Sequence, residues 1–355
     1  MMKISEIDSN FKVETKINKD DIRFYDIKTE LFQIYGVNHE NGKFRRLPEK
    51  IAQTVNDRVA VLHACTAGGR VRFRTNSPYI AINAKMPDIR RHSHMALTGS
   101  AGLDLYVWED GKERYVKTFM PPYGMEDGYE SIIENLDTDT KDYTINFPLY
   151  SEVSELYVGI SDGASISAPR RYTIEKPVVF YGSSITQGGC ASRPGTSYES
   201  ILSRRFDMNY INLGFSGNAR GEVEIAEYIR DLDMTAFVYD YDHNAPTVAH
   251  LEETHERMFR IIRDAKPTLP IIIMSRPKYY WTEEETRKFE IIQKTFTNAK
   301  AKGDNNVYLI DGKTLMKLAG NEGTVDGTHP NDLGFASMAS AIGAVMEEVL
   351  KLYKK

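Results

Sequence analysis

Residues 177–189 read Pro-Val-Val-Phe-Tyr-Gly-Ser-Ser-Ile-Thr-Gln-Gly-Gly, and the fold turns on how this stretch is read. Pro177 to Gly182 is a short, unbroken apolar run, the pattern of a strand buried on both faces. The chain then passes at once into Ser, Thr and Gly, which marks a tight turn at the strand end. Downstream the cycle repeats. "SYESILSRRF" from Ser197 reads as a helix, "NYINLGF" (209–215) as a strand, "EVEIAEYIRDL" as a helix and "TAFVYDY" (235–241) as a third strand. "HLEETHERMFRIIRDA" and "PIIIMSRP" continue the series, and "NVYLIDG" (306–312) supplies a fifth strand before a last helix from about Asn331. Apolar strands alternating with amphipathic helices predict an α/β domain over residues 177–355, a parallel sheet covered on both faces in three α/β/α layers.

Before residue 165 the character differs. "RVRFRT" (70–75), "YIAINAKM" (79–86), "LDLYVW" (103–108) and "ELYVGI" (155–160) are short alternating runs separated by turn-rich pieces such as 161–165. They predict an antiparallel β-sandwich, jelly-roll-like, over residues 1–168, with a polar joint at Pro169 to Lys176. A chain of 355 residues has room for these two cores, and 41% hydrophobic with 27% charged residues is a globular composition.

The net charge of -5 comes from mixed acidic and basic residues without a basic block, so no nucleic acid partner is expected. Apolar runs such as 271–274 and 339–345 are too short to span a bilayer, so no membrane is expected either. Met1 to Lys19 lacks a basic segment followed by an apolar stretch, which predicts no signal peptide and a cytoplasmic location. Cys65 and Cys190 make no disulfide framework and show no zinc spacing; they read as buried or idle thiols.

In parallel sheets, ligands bind beyond the carboxyl ends of the strands, which directs attention to the residues just after each one. Ser184 follows the first strand, on a turn that Gly188 and Gly189 leave open to a substrate. Gly217 in "NLGFSGNA" follows the second, and Asn244 in "YDYDHNAP" the third; their N–H groups are candidates to hold a developing oxyanion. In "DGTHPNDLGF" Asp326 stands three residues before His329, near enough to orient an imidazole, with Pro330 suited to the first position of the last helix. Plainer readings exist: Ser184 as a turn residue, Gly217 as a positive-φ position, Asp326 as a helix cap and His329 as a loop residue.

Elsewhere, His92 and His94 either share a strand face that could hold a metal or lie in a polar loop facing the cleft. Tyr279, Tyr280 and Trp281 either floor a sugar subsite or cover a helix end. Asp104 is either a ligand or a structural acceptor. His250 and His255 lie about 140° apart around a helix and read as surface residues.

Taken in chain order, the pieces around Ser184, Gly217, Asn244 and Asp326–His329 resemble the four blocks of the SGNH (GDSL-like) hydrolase superfamily. "GLDLY" (102–106) is similar to the GxDLY segment of an N-terminal β domain found in bacterial two-domain members. The resemblance implies a flavodoxin-like fold and an acyl-enzyme mechanism. Ser184 would be the nucleophile, His329 the base and Asp326 its orienter, with Ser184 N–H, Gly217 N–H and Asn244 as oxyanion donors. No metal and no cofactor are implied. Two positions depart from the pattern: Ser183 stands where the family usually has aspartate, and "DHNA" replaces Gly-x-Asn-Asp. The expected function is a serine esterase for short-chain esters on a small molecule or oligosaccharide, foremost a carbohydrate O-acetyl esterase. An acyltransferase using the same acyl-enzyme, and a glycan-binding protein with an inactive hydrolase domain, are the alternatives.

Overall fold

A computed structural model of the chain describes residues 15–351. Most of the Met1–Lys19 segment read for a signal peptide therefore lies outside the described residues.

The N-terminal part holds two large antiparallel sheets beside a two-stranded one, Asn38–Glu40 with Lys43–Arg45. One runs Ile22–Asp26, Glu155–Ser161, Tyr79–Lys85, Gly128–Glu134. The other runs Ile166–Ser167, Arg70–Thr75, Lys141–Asn146, Leu103–Glu109, Lys112–Phe119, with Gln33–Tyr35 also paired to Arg70–Thr75. Alternation sets Ile80, Ile82, Val158 and Ile160 of the first sheet against Val71, Phe73, Leu105 and Ile145 of the second, in one core. The sandwich expected from the alternating runs is what forms. The arginines of "RVRFRT" face away from that core, yet Arg70 and Arg72 are buried. Arg70 donates to Asn209 Oδ1 at 2.8 Å, and the Arg72 guanidinium lies 4.1 Å from the Tyr172 ring centre, so the sheet's outer face is covered by the rest of the chain.

Five parallel strands form the C-terminal sheet: Ile174–Gly182, Met208–Gly214, Ala236–Asp240, Ile271–Met274 and Val307–Ile310. Their spatial order is second, first, third, fourth, fifth. Val179 and Tyr181 of the first strand enter one apolar core and Val178 and Phe180 the other, which is why the run is apolar throughout. The order reverses at the first strand, the place where such sheets open a crevice at their carboxyl ends.

Several elements differ from the sequence reading. The first strand begins at Ile174, inside the expected joint. Ile174 pairs with Met208, the register shifts before Val178, and Pro177, which has no N–H, offers its carbonyl to Thr235 N at 2.8 Å. The last helix, Asp332–Val349, is capped by Asn331, whose side chain accepts from Gly334 N at 3.1 Å. Pro330 thus precedes the cap instead of opening the helix. Between the fourth and fifth strands lies a helix that the sequence pattern does not announce, Glu283–Ala301, opened by a reciprocal cap between Thr282 and Glu285. Residues 47–65, with helices Glu49–Val55 and Asp57–Leu62, pack through Leu47, Ala52, Val59 and Leu62 against Leu213 and Phe215. They belong to the α/β core although they lie in sequence between strands of the sandwich. Among the described residues no helix is long and apolar enough to cross a membrane.

Candidate active site

The first strand ends at Gly182, where a Cβ would stand 2.2 Å from Asp240 Oδ1 and 2.3 Å from Thr186 Oγ1. Only glycine lets the turn pass this close to the third strand. Ser183 then caps a four-residue helix, Ser184–Gln187, its hydroxyl accepting from Ile185 N at 3.1 Å. Ser184 is the first helical residue, so its N–H has no partner within the helix.

The Ser184 hydroxyl meets His329 Nε2 at 2.9 Å, and His329 Nδ1 meets Asp326 Oδ2 at 2.7 Å. Asp326 Oδ1 accepts the backbone N–H of Thr328 at 3.0 Å and of His329 at 2.8 Å. Partial burial works to raise the Asp326 pKa, but the hydrogen bonds from His329 and Thr328 outweigh it and hold it at about 2. An ionised Asp326 fixes the proton of a neutral His329 on Nδ1 and turns the Nε2 lone pair toward Ser184. Asp326 does not cap the last helix, since Asn331 does.

Gly217 lies in the turn after the second strand at φ +71°, in open space. Ser216 N donates to Gln187 Oε1 at 3.0 Å, and Asn244 Nδ2 donates to Phe215 O at 3.2 Å. The turns after the first three strands are thereby tied together, and Asn244 uses one of its two amide hydrogens in doing so.

His92 and His94 lie in a turn closed by Met95 N to His92 O at 3.1 Å, which removes the shared strand face. The His94 ring comes against His329, their centres 5.3 Å apart, and His92 packs edge-on to Tyr150 at 5.6 Å. Two further neighbours have no counterpart in the sequence reading. The Tyr150 hydroxyl, from the N-terminal part, donates to Ser184 O at 3.2 Å. Cys190, which reads in the sequence as a buried or idle thiol, is buried, with its sulfur within 4.8 Å of a ring nitrogen of both His94 and His329. Burial, with the Asp326 charge adding to it, pushes this thiol up to about 12. Both contacts join segments far apart in the chain, so no local motif announces them.

Trp281 donates to Lys278 O at 2.8 Å and packs on Phe289 at 4.8 Å, covering the start of helix Glu283–Ala301. Tyr279 and Tyr280 meet edge-on at the surface, and no hydrogen bond or ring contact among the described residues joins these three to Ser184 or His329. Trp281 thus covers a helix end, as one of the two sequence readings has it. His255 is buried, stacked 5.0 Å from Tyr239, because helix Val248–Ala265 turns that face to the sheet; the surface reading fails for it. Asp104 is a structural acceptor, taking Asn146 Nδ2 and Gly195 N, each at 2.8 Å.

A family model of GDSL-like lipases and acylhydrolases matches residues 175–347, and a model of the N-terminal region of SGNH-type esterases, GxDLY, matches residues 22–166. The crystal structure of a GDSL-like lipase from Bacteroides ovatus superposes with a TM-score of 0.84 at 32% identity, covering 93% of this chain and 98% of that one. The chain belongs to the GDSL-like lipase/acylhydrolase family. It is accordingly a hydrolase of ester bonds.

Two other solved structures share the two-part fold of this GDSL-like hydrolase. One is a salicylyl-acyltransferase from a tetracycline biosynthetic pathway, with a TM-score of 0.76 at 20% identity over 95% of this chain and 100% of that one. The other is a family two carbohydrate esterase from Cellvibrio japonicus, with a TM-score of 0.60 at 10% identity over 94% and 99%. No curated protein sequence matches the chain. Ser183, which departs from the family's usual aspartate, keeps a local role here, because its hydroxyl caps the turn that carries Ser184.

Proposed function

We propose that the protein is a serine esterase that cleaves short-chain esters through an acyl-enzyme, and that its natural substrates are O-acetylated carbohydrates. The observation that carries the first part is the unbroken relay from Asp326 through His329 to Ser184, with links of 2.7 and 2.9 Å. His329 Nε2 takes the Ser184 proton as Oγ attacks the ester carbonyl carbon. The carbonyl oxygen becomes an oxyanion, for which Ser184 N–H, Gly217 N–H and the Asn244 amide are the donors. The imidazolium returns its proton to the leaving alcohol oxygen as the C–O bond breaks. Water, deprotonated by the same nitrogen, then attacks the acyl-enzyme, and the acid leaves as Ser184 recovers its proton.

The carbohydrate part rests on the polarity of the surroundings. Beside Gly217 opens a depression of about 510 Å³ lined by Asn56, Asp57, Arg58, Asn218 and Arg220, and His94 and Asn244 stand on other sides of the site. Such walls suit a hydroxylated alcohol better than a long acyl chain. The carbohydrate esterase from Cellvibrio japonicus shows that this fold can carry such chemistry. Acyl transfer is the second reading, favoured by the whole-length likeness to the salicylyl-acyltransferase, since water and an acceptor alcohol compete for one intermediate.

The test is turnover of p-nitrophenyl esters of increasing chain length, followed by acetate release from acetylated sugars, with and without an acceptor alcohol. Acetate esters should be cleaved fastest, with rates falling as the chain lengthens. A preference for long acyl chains would overturn the substrate reading. An acyl product partitioning mainly to the alcohol would replace hydrolysis by transfer.

A further inference from the structure

We propose that Cys190, His94 and His329 form a binding site for a thiophilic divalent cation of the zinc type, whose occupancy reversibly blocks the hydrolase. The inhibitory half of this proposal rests on the reading of His329 as the base; the binding half does not. One ligand atom from each residue lies within 4.8 Å of the other two. Zinc bonds of about 2.0–2.3 Å place ligand atoms roughly 3.3–3.8 Å apart, so closing the set takes movements on the order of 1 Å.

Three features prepare the residues for this role. His329 Nδ1 is held by Asp326 at 2.7 Å, the carboxylate–histidine arrangement that orients an imidazole toward a metal, and the nitrogen on the other side of the ring is Nε2. Nε2 is also the atom that accepts the Ser184 proton, so a metal there removes the base and adds a positive charge at the nucleophile. Ser184 Oγ, 2.9 Å from Nε2, or a water would complete a tetrahedron. Cys190 adopts φ +73°, the left-handed region that glycine or asparagine enters at less cost. That conformation is held on both sides, by Gly189 N on Ser184 O at 2.8 Å and Ala191 N on Gly188 O at 3.1 Å, and it leaves the sulfur beside the two imidazoles. The catalytic relay makes no use of this sulfur.

Binding breaks the Sγ–H bond of Cys190, forms an Sγ–metal bond and releases the proton to solvent. The metal therefore binds in competition with that proton, more tightly as pH rises. The set is made of imidazole and sulfur, which favours zinc, cobalt or cadmium over magnesium or calcium.

The experiment uses the full chain, freed of metal by a chelator and titrated with Co2+. A sulfur-to-cobalt charge-transfer band in the near ultraviolet is expected in the wild type and in Ser184→Ala, where catalysis plays no part, and Zn2+ should bleach it. Cys190→Ala should lack the band, and His94→Ala should bind Zn2+ at least tenfold more weakly. In hydrolysis of an aryl acetate, Zn2+ should inhibit the wild type and chelator should restore the rate. Cys190→Ala should keep near wild-type turnover and need at least tenfold more Zn2+ for the same inhibition. Should Cys190→Ala not fold, Cys190→Gly removes the sulfur while suiting the left-handed backbone. Absence of the cobalt band in both Ser184→Ala and wild type, unchanged zinc inhibition in the Cys190 variants, or equal inhibition by Mg2+ would each overturn the proposal. An enzyme that bound cobalt with the band but hydrolysed no ester would sink the esterase reading and leave the metal site standing.

Discussion

The carboxylate of Asp326 accepts two backbone N–H groups on Oδ1 and the imidazole N–H on Oδ2. In Asp326→Asn the amide oxygen can keep the backbone pair, but an NH2 then faces His329 Nδ1 and favours the tautomer protonated on Nε2. That nitrogen would point a hydrogen at Ser184 and could not accept one. The expected outcome is a loss in kcat of about 10⁴, as in the serine protease case, with little change in folding. Because the Asp326 pKa is lowered from 3.8 to about 2, its contribution to stability is full above 3.8 and lost as pH falls toward 2. A fall in wild-type activity between pH 8 and 5 therefore cannot come from Asp326, and a pH–rate profile of both proteins checks this. At the proposed nucleophile, Ser184→Ala should lower kcat by on the order of 10⁴ to 10⁶. Ser183→Ala loses only a capping bond, about 1 kcal/mol, and should stay active. If Ser183→Ala were the dead variant, the nucleophile would be misassigned. These residues are legible in the sequence because Ser184 sits in a short block just after a strand and Asp326 stands three residues before His329 in a short block just ahead of the last helix. Tyr150 and Cys190 are not, because their partners come from distant parts of the chain.

At the scale of elements, the parallel strands show themselves through apolar runs buried on both faces. Helix Glu283–Ala301 does not, and its inward face explains why: alongside Ile292 and Ala299 it buries Glu285, Lys288 and Thr295. Lys288 is satisfied by Ala245 O at 2.9 Å and Glu285 by Lys278 and Arg276, each at 2.8 Å, so tertiary partners replace the apolar stripe that a sequence pattern needs. The neighbouring helix Val248–Ala265 misleads in the opposite sense, since it carries a histidine into the core. His255 Nδ1 meets Thr295 Oγ1 at 2.8 Å, and burial lowers the His255 pKa from 6.5 to about 3. The unfolded chain takes up a proton at this residue below pH 6.5 while the folded chain does not until about 3. The stabilisation is thus full above 6.5 and lost as pH falls through that window. At pH 4.5 the loss for this one residue is about 2–3 kcal/mol. His255→Gln retains a partner for Thr295 without a titrating ring, so its urea midpoint should fall less than that of the wild type between pH 7 and 4.5. Parallel declines in the two proteins would show that His255 is not the acid-sensitive group.

The sequence divides the molecule at residue 168, yet contacts cross that division close to the active site. Tyr150 reaches Ser184 O, His94 lies against His329, and residues 47–65 build part of the α/β core. Of these, only the His92–His94 loop is expected from the sequence, as a polar loop facing the cleft; the other two contacts are not legible in local patterning, because periodicity reports which face of an element is buried and not what covers it. The GLDLY segment shows how the two parts are fastened. Asp104 is fully buried on strand Leu103–Glu109; one oxygen takes Asn146 Nδ2 of the neighbouring strand, and the other takes Gly195 N, with Arg193 Nη1 at 3.4 Å. Gly195 belongs to the short turn Pro194–Thr196 that leads from the Ser184 loop into helix Tyr198–Phe206. Asp104→Ala would leave the buried Gly195 N–H and the Asn146 amide without their acceptor, while Arg193 keeps the Tyr106 hydroxyl, at a cost of about 2–4 kcal/mol. A melting temperature lower by roughly 10 °C is expected, while Asp104→Asn, which keeps one acceptor oxygen, should fall less. Loosening this joint also lets the loop bearing His92 and His94 drift from His329, so kcat/KM should drop further on an acetylated oligosaccharide than on a small aryl acetate. Calorimetry on the two variants, with both substrates assayed below the transition, separates these effects. An Asp104→Ala protein that melts with the wild type would show that the sandwich is held to the hydrolase core by other contacts.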